Sequence, residues 1–381
     1  MYAGGACTDE TKPAKKTQGA DVVMERMDEV MVRQAVRDHE EWLKTKGKSG
    51  RRADFSKKLL INADLINSNL EYANFDEATL IKCIFSDAKI NEASFKNARI
   101  NNCSFIEVFA KNANFTNAKV INCIFDFSMM EDAVFEYATA DGSSFKNTLL
   151  INANFDDASL VGTYFCEAIA SEVFAKNANF TNAKVINCIF DFSMMEDAVF
   201  EYATADGSSF KNTLLINANF DGASLVGTYF CEAIASNASF VDANMEWANL
   251  EEAYFYKAVM CGASLRHASM FHANFKEADT YGVSWPLDYG SVGIRADMNL
   301  VKRFLAHIAG LGVPEEEEEE FFELLQAIKK YVEDSKPARE LSTSNWIMFM
   351  EASKAAEYSK KIKEVEDEKR NLENAVFGTE L

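Results

Sequence analysis

Proline is scarce in this sequence and confined to its margins. All four prolines, Pro13, Pro286, Pro314 and Pro337, lie outside Asp54–Thr280. That predicts a central body whose backbone amides are committed to a hydrogen-bonded ladder. Cysteine is present eight times but never as CxxC, and the four histidines, His39, His267, His272 and His307, are too scattered to form a ligand set. No P-loop, Rossmann glycine pattern, HExxH or nucleophile–base signature occurs. The expectation is therefore a non-enzyme with no catalytic residue, no metal and no cofactor. Positive charge is in deficit, with 39 Lys and Arg against 59 Asp and Glu for a net charge of −20. A duplex phosphate backbone is a poor direct ligand for such a chain. No apolar run is long enough to span a membrane. Met1–Ala20 is polar and lysine-rich, unlike a signal peptide. A reducing compartment, the cytoplasm, is the expectation.

What is present is a repeat. From Phe55, every fifth residue is large and apolar or else alanine: Leu60, Leu65, Leu70, Phe75, Leu80, Phe85 and onward, without slipping, to Phe275. Two residues before these lies a second, smaller set, as in Ala53, Ala63, Ala73, Ala78, Cys83 and Ala88, with Lys58 as the large polar exception near the start and Ser68 polar but small. A period of five fits neither a helix at 3.6 nor a flat strand at two. It fits a chain that turns a corner every fifth residue and buries one large and one small side chain on each side.

A second rhythm gives the number of sides. From Phe75 to Phe165 every tenth residue is Phe, with Leu, Ile, Val, Met or Ala halfway between. With four sides per coil, Phe stacks on Phe and aliphatic on aliphatic; with three, unlike residues would meet. One coil is then about 20 residues and the register covers roughly 11 coils. At about 4.8 Å per coil, that is on the order of 55 Å.

The segments Ala63-Asp64-Leu65, Ala73-Asn74-Phe75 and Ala153-Asn154-Phe155 match the A(D/N)LXX motif, and the chain resembles the pentapeptide-repeat family over about 60% of its length. The resemblance implies an all-β solenoid, the right-handed quadrilateral β-helix. Upstream, His39-Glu40-Glu41-Trp42-Leu43 followed by Arg52-Ala53-Asp54 resembles the lead-in of many bacterial and phage members.

Glu107–Ser171 recurs as Glu172–Ser236 with one mismatch, Asp157 against Gly222. The offset from 107 to 172 is 65 residues, or 13 pentapeptides, which is three coils and one side. The copy keeps the register but is turned by one wall. Phe155 would then meet Ala175, Leu160 would meet Phe180, and Phe165 would meet Val185, so irregular core packing is expected around 165–185.

The residue before each large core residue should point outward. Most are polar, but one column reads Phe109, Met129, Leu149, Ile169, Ile189, and the duplication sets another on the adjacent side: Phe174, Met194, Leu214, Ile234, Tyr254. Such stripes suggest a contact surface for a protein partner or for self-association, unless flanking chain covers them. Cys83, Cys103 and Cys123 share one inward column. A thiol site is conceivable, but small core filler is the reading preferred. Surface positions are expected for His267 and His272.

The expected organisation is a disordered tail over 1–20, a helical N-terminal cap over 21–50, the β-helix over 51–280, a connector and cap helix over 281–312, and C-terminal helices over 313–381. Glu25–Thr45 reads as an amphipathic helix with Met27, Met31, Val36, Trp42 and Leu43 as apolar markers. The period is expected to stop after Thr280. A heptad seam in the last helix, Tyr358, Ile362, Val365, Leu372 and Val376, leaves open packing on the solenoid or homodimerisation. The functional expectation is a scaffold for protein–protein interaction. The alternative is a DNA-mimicking modulator of a type II topoisomerase, gyrase. It resembles the quinolone-resistance members in its acidic body, where acids exceed bases by 15 across Asp54–Thr280, but departs from those that carry inserted loops.

Overall fold

The computed structural model describes residues 24–285. The expected tail over 1–20, the C-terminal helices over 313–381 with their heptad seam, and all of the 281–312 connector and cap helix beyond residue 285 lie outside the described residues.

From Ala53 to Trp285 the chain winds as a four-walled tube. On each wall the outward residue before the core position pairs in parallel with its counterpart 20 positions later, as in Asp54 with Asn74 and Asn74 with Ser94, up to Ser264 with Ser284. On one wall near the start the pairing widens into strands: β1 (Glu25–Arg26), β2 (Lys58–Ile61), β3 (Thr79–Ile81), β4 (Arg99–Asn101) and β5 (Lys119–Ile121) form a parallel sheet in that order. Leu60, Leu80, Ile100 and Val120 stand in register on its inner face.

The corner explains the period. At Phe75 the turn closes when the amide of Ala78 donates to the Phe75 carbonyl at 3.0 Å, with Glu77 at φ +59°. Three amides reach neighbouring coils, Phe75 N to Ser94 O at 2.7 Å, Glu77 N to Lys96 O at 2.8 Å and Asn74 N to Ala53 O at 3.0 Å, and Asp76 N donates to Asn74 Oδ1 at 3.0 Å within the corner. One residue in five must thus enter the left-handed region. Asn is the commonest non-glycine residue to tolerate it, and Asn97, Asn112, Asn117 and Asn177 occupy such corners.

The interior is a zip of rings. Phe75, Phe95, Phe115 and Phe135 stack along one wall at 4.6–4.7 Å between centroids. The opposite wall's Phe85, Phe105 and Phe125 stack likewise, and the two columns meet edge-on at 5.7–6.3 Å across the tube. Both arrangements are favoured by the ring quadrupole.

At the duplication junction the backbone is uninterrupted, with Asn154 paired to Phe174, Tyr164 to Lys184 and Ile169 to Ile189. The irregularity expected over 165–185 is confined to the core: Phe165 meets Phe180 and Phe190 with tilted rings instead of a continued stack. The ladder survives because it uses only backbone, which is identical on every wall. The single mismatch has a local effect. Asp157 accepts from Asn177 Nδ2 at 3.0 Å, whereas at Gly222, φ +64°, a Cβ would lie 2.6 Å from the Tyr202 ring.

Two boundaries differ from the sequence reading. The helix α1 spans Glu29–Lys44, and Glu25–Arg26 is strand, because Met27 N bonds to Leu59 O at 3.0 Å and Asp28 caps the helix by accepting from Met31 N at 2.8 Å. This start rotates Met31 outward, and Val32 and His39 are the buried residues of α1. At the far end the five-residue geometry runs one side past Thr280. Val283 and Trp285 are buried, and Trp285 packs edge-on against Phe275 at 5.8 Å.

Candidate functional site

On each wall, successive residues alternate inward and outward, so Ala110, Met130, Leu150, Ala170 and Phe190 enter the core while the residues before them face out. Phe109, Met129, Leu149, Ile169 and Ile189 are paired in sequence along the tube, one per coil. They form a continuous apolar ridge, with Met129 49% exposed and Ile189 38%. Their backbone is saturated: Ile169 N donates to Thr148 O at 3.0 Å, and its carbonyl accepts from Leu150 N at 2.7 Å. Only side chains remain available for contact.

The ridge broadens at Phe127, a corner residue at φ +61° that is 58% exposed. Sequence reasoning missed it by considering only the residue before each core position. Phe127 does carry a signal, since it stands in a corner column otherwise made of Asn, Asp, Glu, Gly, Trp and His. Four carboxylates flank the ridge two residues away from its members: Glu107, Glu131, Glu167 and Asp191. The single flanking base, Lys111, pairs with Asp132 at 3.5 Å. At its N-terminal end the ridge borders a shallow depression of about 430 Å³ lined by Glu71, Tyr72, Glu92, Phe109, Lys111 and Met129, among others. The Glu92 carboxylate beside Tyr72 raises its phenol, which keeps that hydroxyl protonated.

The second stripe, Phe174, Met194, Leu214, Ile234 and Tyr254, is likewise paired coil to coil. It is half-buried, and Leu214 is only 9% exposed. Two stripes of nearly identical sequence therefore offer unequal surfaces.

Cys83, Cys103 and Cys123 are buried, reduced and stacked in the small-residue slot. Cys103 Sγ accepts from Cys83 N at 3.3 Å, and Ser143 Oγ takes the same role for Cys123 N at 3.0 Å. The slot thus satisfies a corner amide, and a hydroxyl does this as well as a thiol. The thiol hydrogen bond to Cys123, followed by burial, pushes Cys103 up to about 12. Such thiols are poor nucleophiles and poor ligands. Among the described residues no group of three or more His, Cys, Asp or Glu is placed to hold a metal. No helix among them is long and apolar enough to cross a membrane. His267 and His272 sit at outward corners, stacked on Trp247 at 4.2 Å and Phe271 at 3.9 Å.

Comparison with known proteins places this geometry. No curated protein sequence matches the chain. Among solved structures it is similar to HetL, a pentapeptide repeat protein involved in heterocyst differentiation regulation from the cyanobacterium Nostoc sp. strain PCC 7120. That match has 21% identity, covers 60% of this chain and 92% of that one, and has a TM-score of 0.28. It is also similar to QnrB1, a plasmid-mediated fluoroquinolone resistance protein, with 17% identity, 57% and 97% coverage and a TM-score of 0.35. A pentapeptide repeat protein of the Arabidopsis thaliana thylakoid lumen shows 24% identity over 27% of this chain and 65% of that one, with a TM-score of 0.20. The model of pentapeptide repeats matches in eight copies between residues 59 and 279, more than half of the sequence. With its unbroken five-residue corners and 20-residue coils, the chain belongs to the pentapeptide-repeat family, whose members form right-handed quadrilateral β-helices.

Proposed function

We propose that this protein is a non-enzymatic scaffold that binds a protein partner through the ridge from Phe109 to Ile189. The observation that carries this reading is the ridge itself. It is a run of five apolar side chains paired coil to coil, four of them exposed and Leu149 half-buried, each with its backbone N–H and C=O already hydrogen-bonded. Monomeric surfaces rarely hold a contiguous apolar strip without a contact role. In the same reading, β1 and α1 serve as the N-terminal cap, covering the strand edge that the first coil would otherwise expose.

The test is affinity purification from the native host with wild-type protein and with Phe109→Glu and Met129→Glu, alongside light scattering. Both sites are outward, so folding should hold to within about 0.5 kcal/mol while a defined set of partners is lost. If the partners and the oligomeric state are unchanged, the ridge is not the contact surface.

A second reading rests on a different observation. Between Asp126 and Glu252 the tube carries 20 acidic and 4 basic residues, a field suited to imitating nucleic acid before the basic DNA-binding surface of a partner such as gyrase. A supercoiling assay decides it: inhibition or protection of gyrase at micromolar protein supports mimicry, and no effect removes it.

A further inference from the structure

We infer that the occupant of the ridge is a basic amphipathic helix of the partner protein, laid lengthwise along the tube; this rests on the scaffold reading above. Three features lead there. First, the mode of contact is restricted. From Phe109 to Ile189 each ridge residue has its N–H and its C=O bonded to an adjacent coil, as with Met129 N to Val108 O at 2.9 Å and Ala110 N to Met129 O at 2.7 Å. An added strand has no edge to pair with, so the partner must satisfy its own backbone, which a helix does.

Second, the dimensions suit a helix. The five ridge residues span four coil steps, about 19 Å at roughly 4.8 Å per step. That is the length of about 13 helical residues at about 1.5 Å rise. An apolar helical face recurs about every 5.4 Å, close to the coil step, so side chains of one surface can settle between those of the other.

Third, the charge is one-sided. Glu107, Glu131, Glu167 and Asp191 rim the ridge, and the rim's only base is held by Asp132. Glu107, Glu131 and Glu167 make no ion pair among the described residues. A second copy of this chain placed ridge to ridge would set these carboxylates against one another. A helix with an apolar face edged by Lys or Arg complements them.

The experiment uses the full chain and fluorescently labelled synthetic helices of about 18 residues. One carries a leucine face flanked by lysines, one has the same face flanked by glutamates, and one is a scramble of the leucine–lysine composition. The expected result is that the leucine–lysine helix binds about tenfold tighter than either control. Neutral truncation of the ridge, Met129→Gln with Ile169→Asn, should weaken it about tenfold. Glu131→Gln with Glu167→Gln should reduce the salt dependence of binding. Equal binding of the glutamate helix, or no effect of the neutral ridge variant in a protein with unchanged circular dichroism, overturns the inference. If that variant loses its native partner but the leucine–lysine helix binds it and wild type alike, the basic helix is wrong and the scaffold stands. If neither binding responds, both fall.

Discussion

Phe165 meets Phe180 at 5.8 Å with the two rings tilted by 59°. They stand on adjoining walls of the tube, whereas every earlier pair in the zip is either stacked along one wall or edge-on across it. Phe165 keeps its stack on Phe145 at 4.9 Å and 11°, but the next residue on its own wall is Val185. From Phe180 onward the stacks resume one wall round, with Phe200 at 4.5 Å. The junction therefore exchanges ring stacking for ring-on-aliphatic contact on two walls at once, while the hydrogen-bond ladder is untouched.

Deleting Glu172–Ser236 should give a folded, shorter tube. Phe155 would then take the place of Phe220 beneath Phe240, a contact now stacked at 5.0 Å and 1°, and the tilted junction would vanish. Because stability in such arrays is a sum of nearest-neighbour terms, the shortened chain should unfold in one sharp denaturant transition. Loss of cooperative unfolding would show that the junction is structurally required.

His39 couples the docking of α1 to pH. Its ring is fully buried, with Nδ1 accepting from Ala53 N at 3.1 Å and Nε2 donating to the Glu71 carbonyl at 2.9 Å. Only the neutral ring can do both. Burial lowers its pKa, the Glu71 hydrogen bond opposes this, and nearby Arg52 adds to the lowering. Since the folded value lies below the ordinary 6.5, the stabilisation is complete above that pH. It is lost as the pH falls through 6.5 toward the folded value. Amide exchange in α1 should accelerate on going from about pH 8 to about pH 5, and His39→Gln should remove that dependence.

Part of the tube's acidity is structural. Asp126 Oδ1 accepts from Ser144 Oγ at 2.5 Å and Lys146 N at 3.1 Å, and Asp191 repeats this with Ser209 and Lys211. Asp126→Ala and Asp191→Ala should each cost about 1–3 kcal/mol. Asn, which keeps the acceptor oxygen, should cost less at both sites. Equal denaturation midpoints for the Ala and Asn variants would show that these bonds contribute nothing.

The thiols should divide by position. Mass spectrometry after iodoacetamide treatment should find Cys166, Cys231 and Cys261, which are partly exposed, labelled ahead of Cys83, Cys103, Cys123 and Cys188. For Cys188 burial holds the thiol well above its usual range. Labelling of the buried set in folded protein would mean that the core opens locally.

The Phe and Ala columns were legible because a fixed period forces each residue type onto one side of the wall, and the outward stripe followed from the same alternation. Phe127 and Tyr72 escaped that pattern, because corner residues project outward whatever their type, and only the unusual residue type in its corner column marks Phe127. Burial of His39 was equally hidden. A single histidine has no period, and its environment is made by Ala53 and Glu71, distant in sequence. Nor could sequence separate Leu149 from Leu214, identical residues in identical local sequence; what differs is what lies around them.

A block copied at an interval of twelve pentapeptides would have lengthened a single facet. Thirteen instead turned the azimuth of the copy by a right angle, so that Phe109 and its duplicate Phe174 look out in perpendicular directions. A flat, stiff ligand can therefore engage only one of them. Anything that grips both must bend round an edge of the square, or be two molecules.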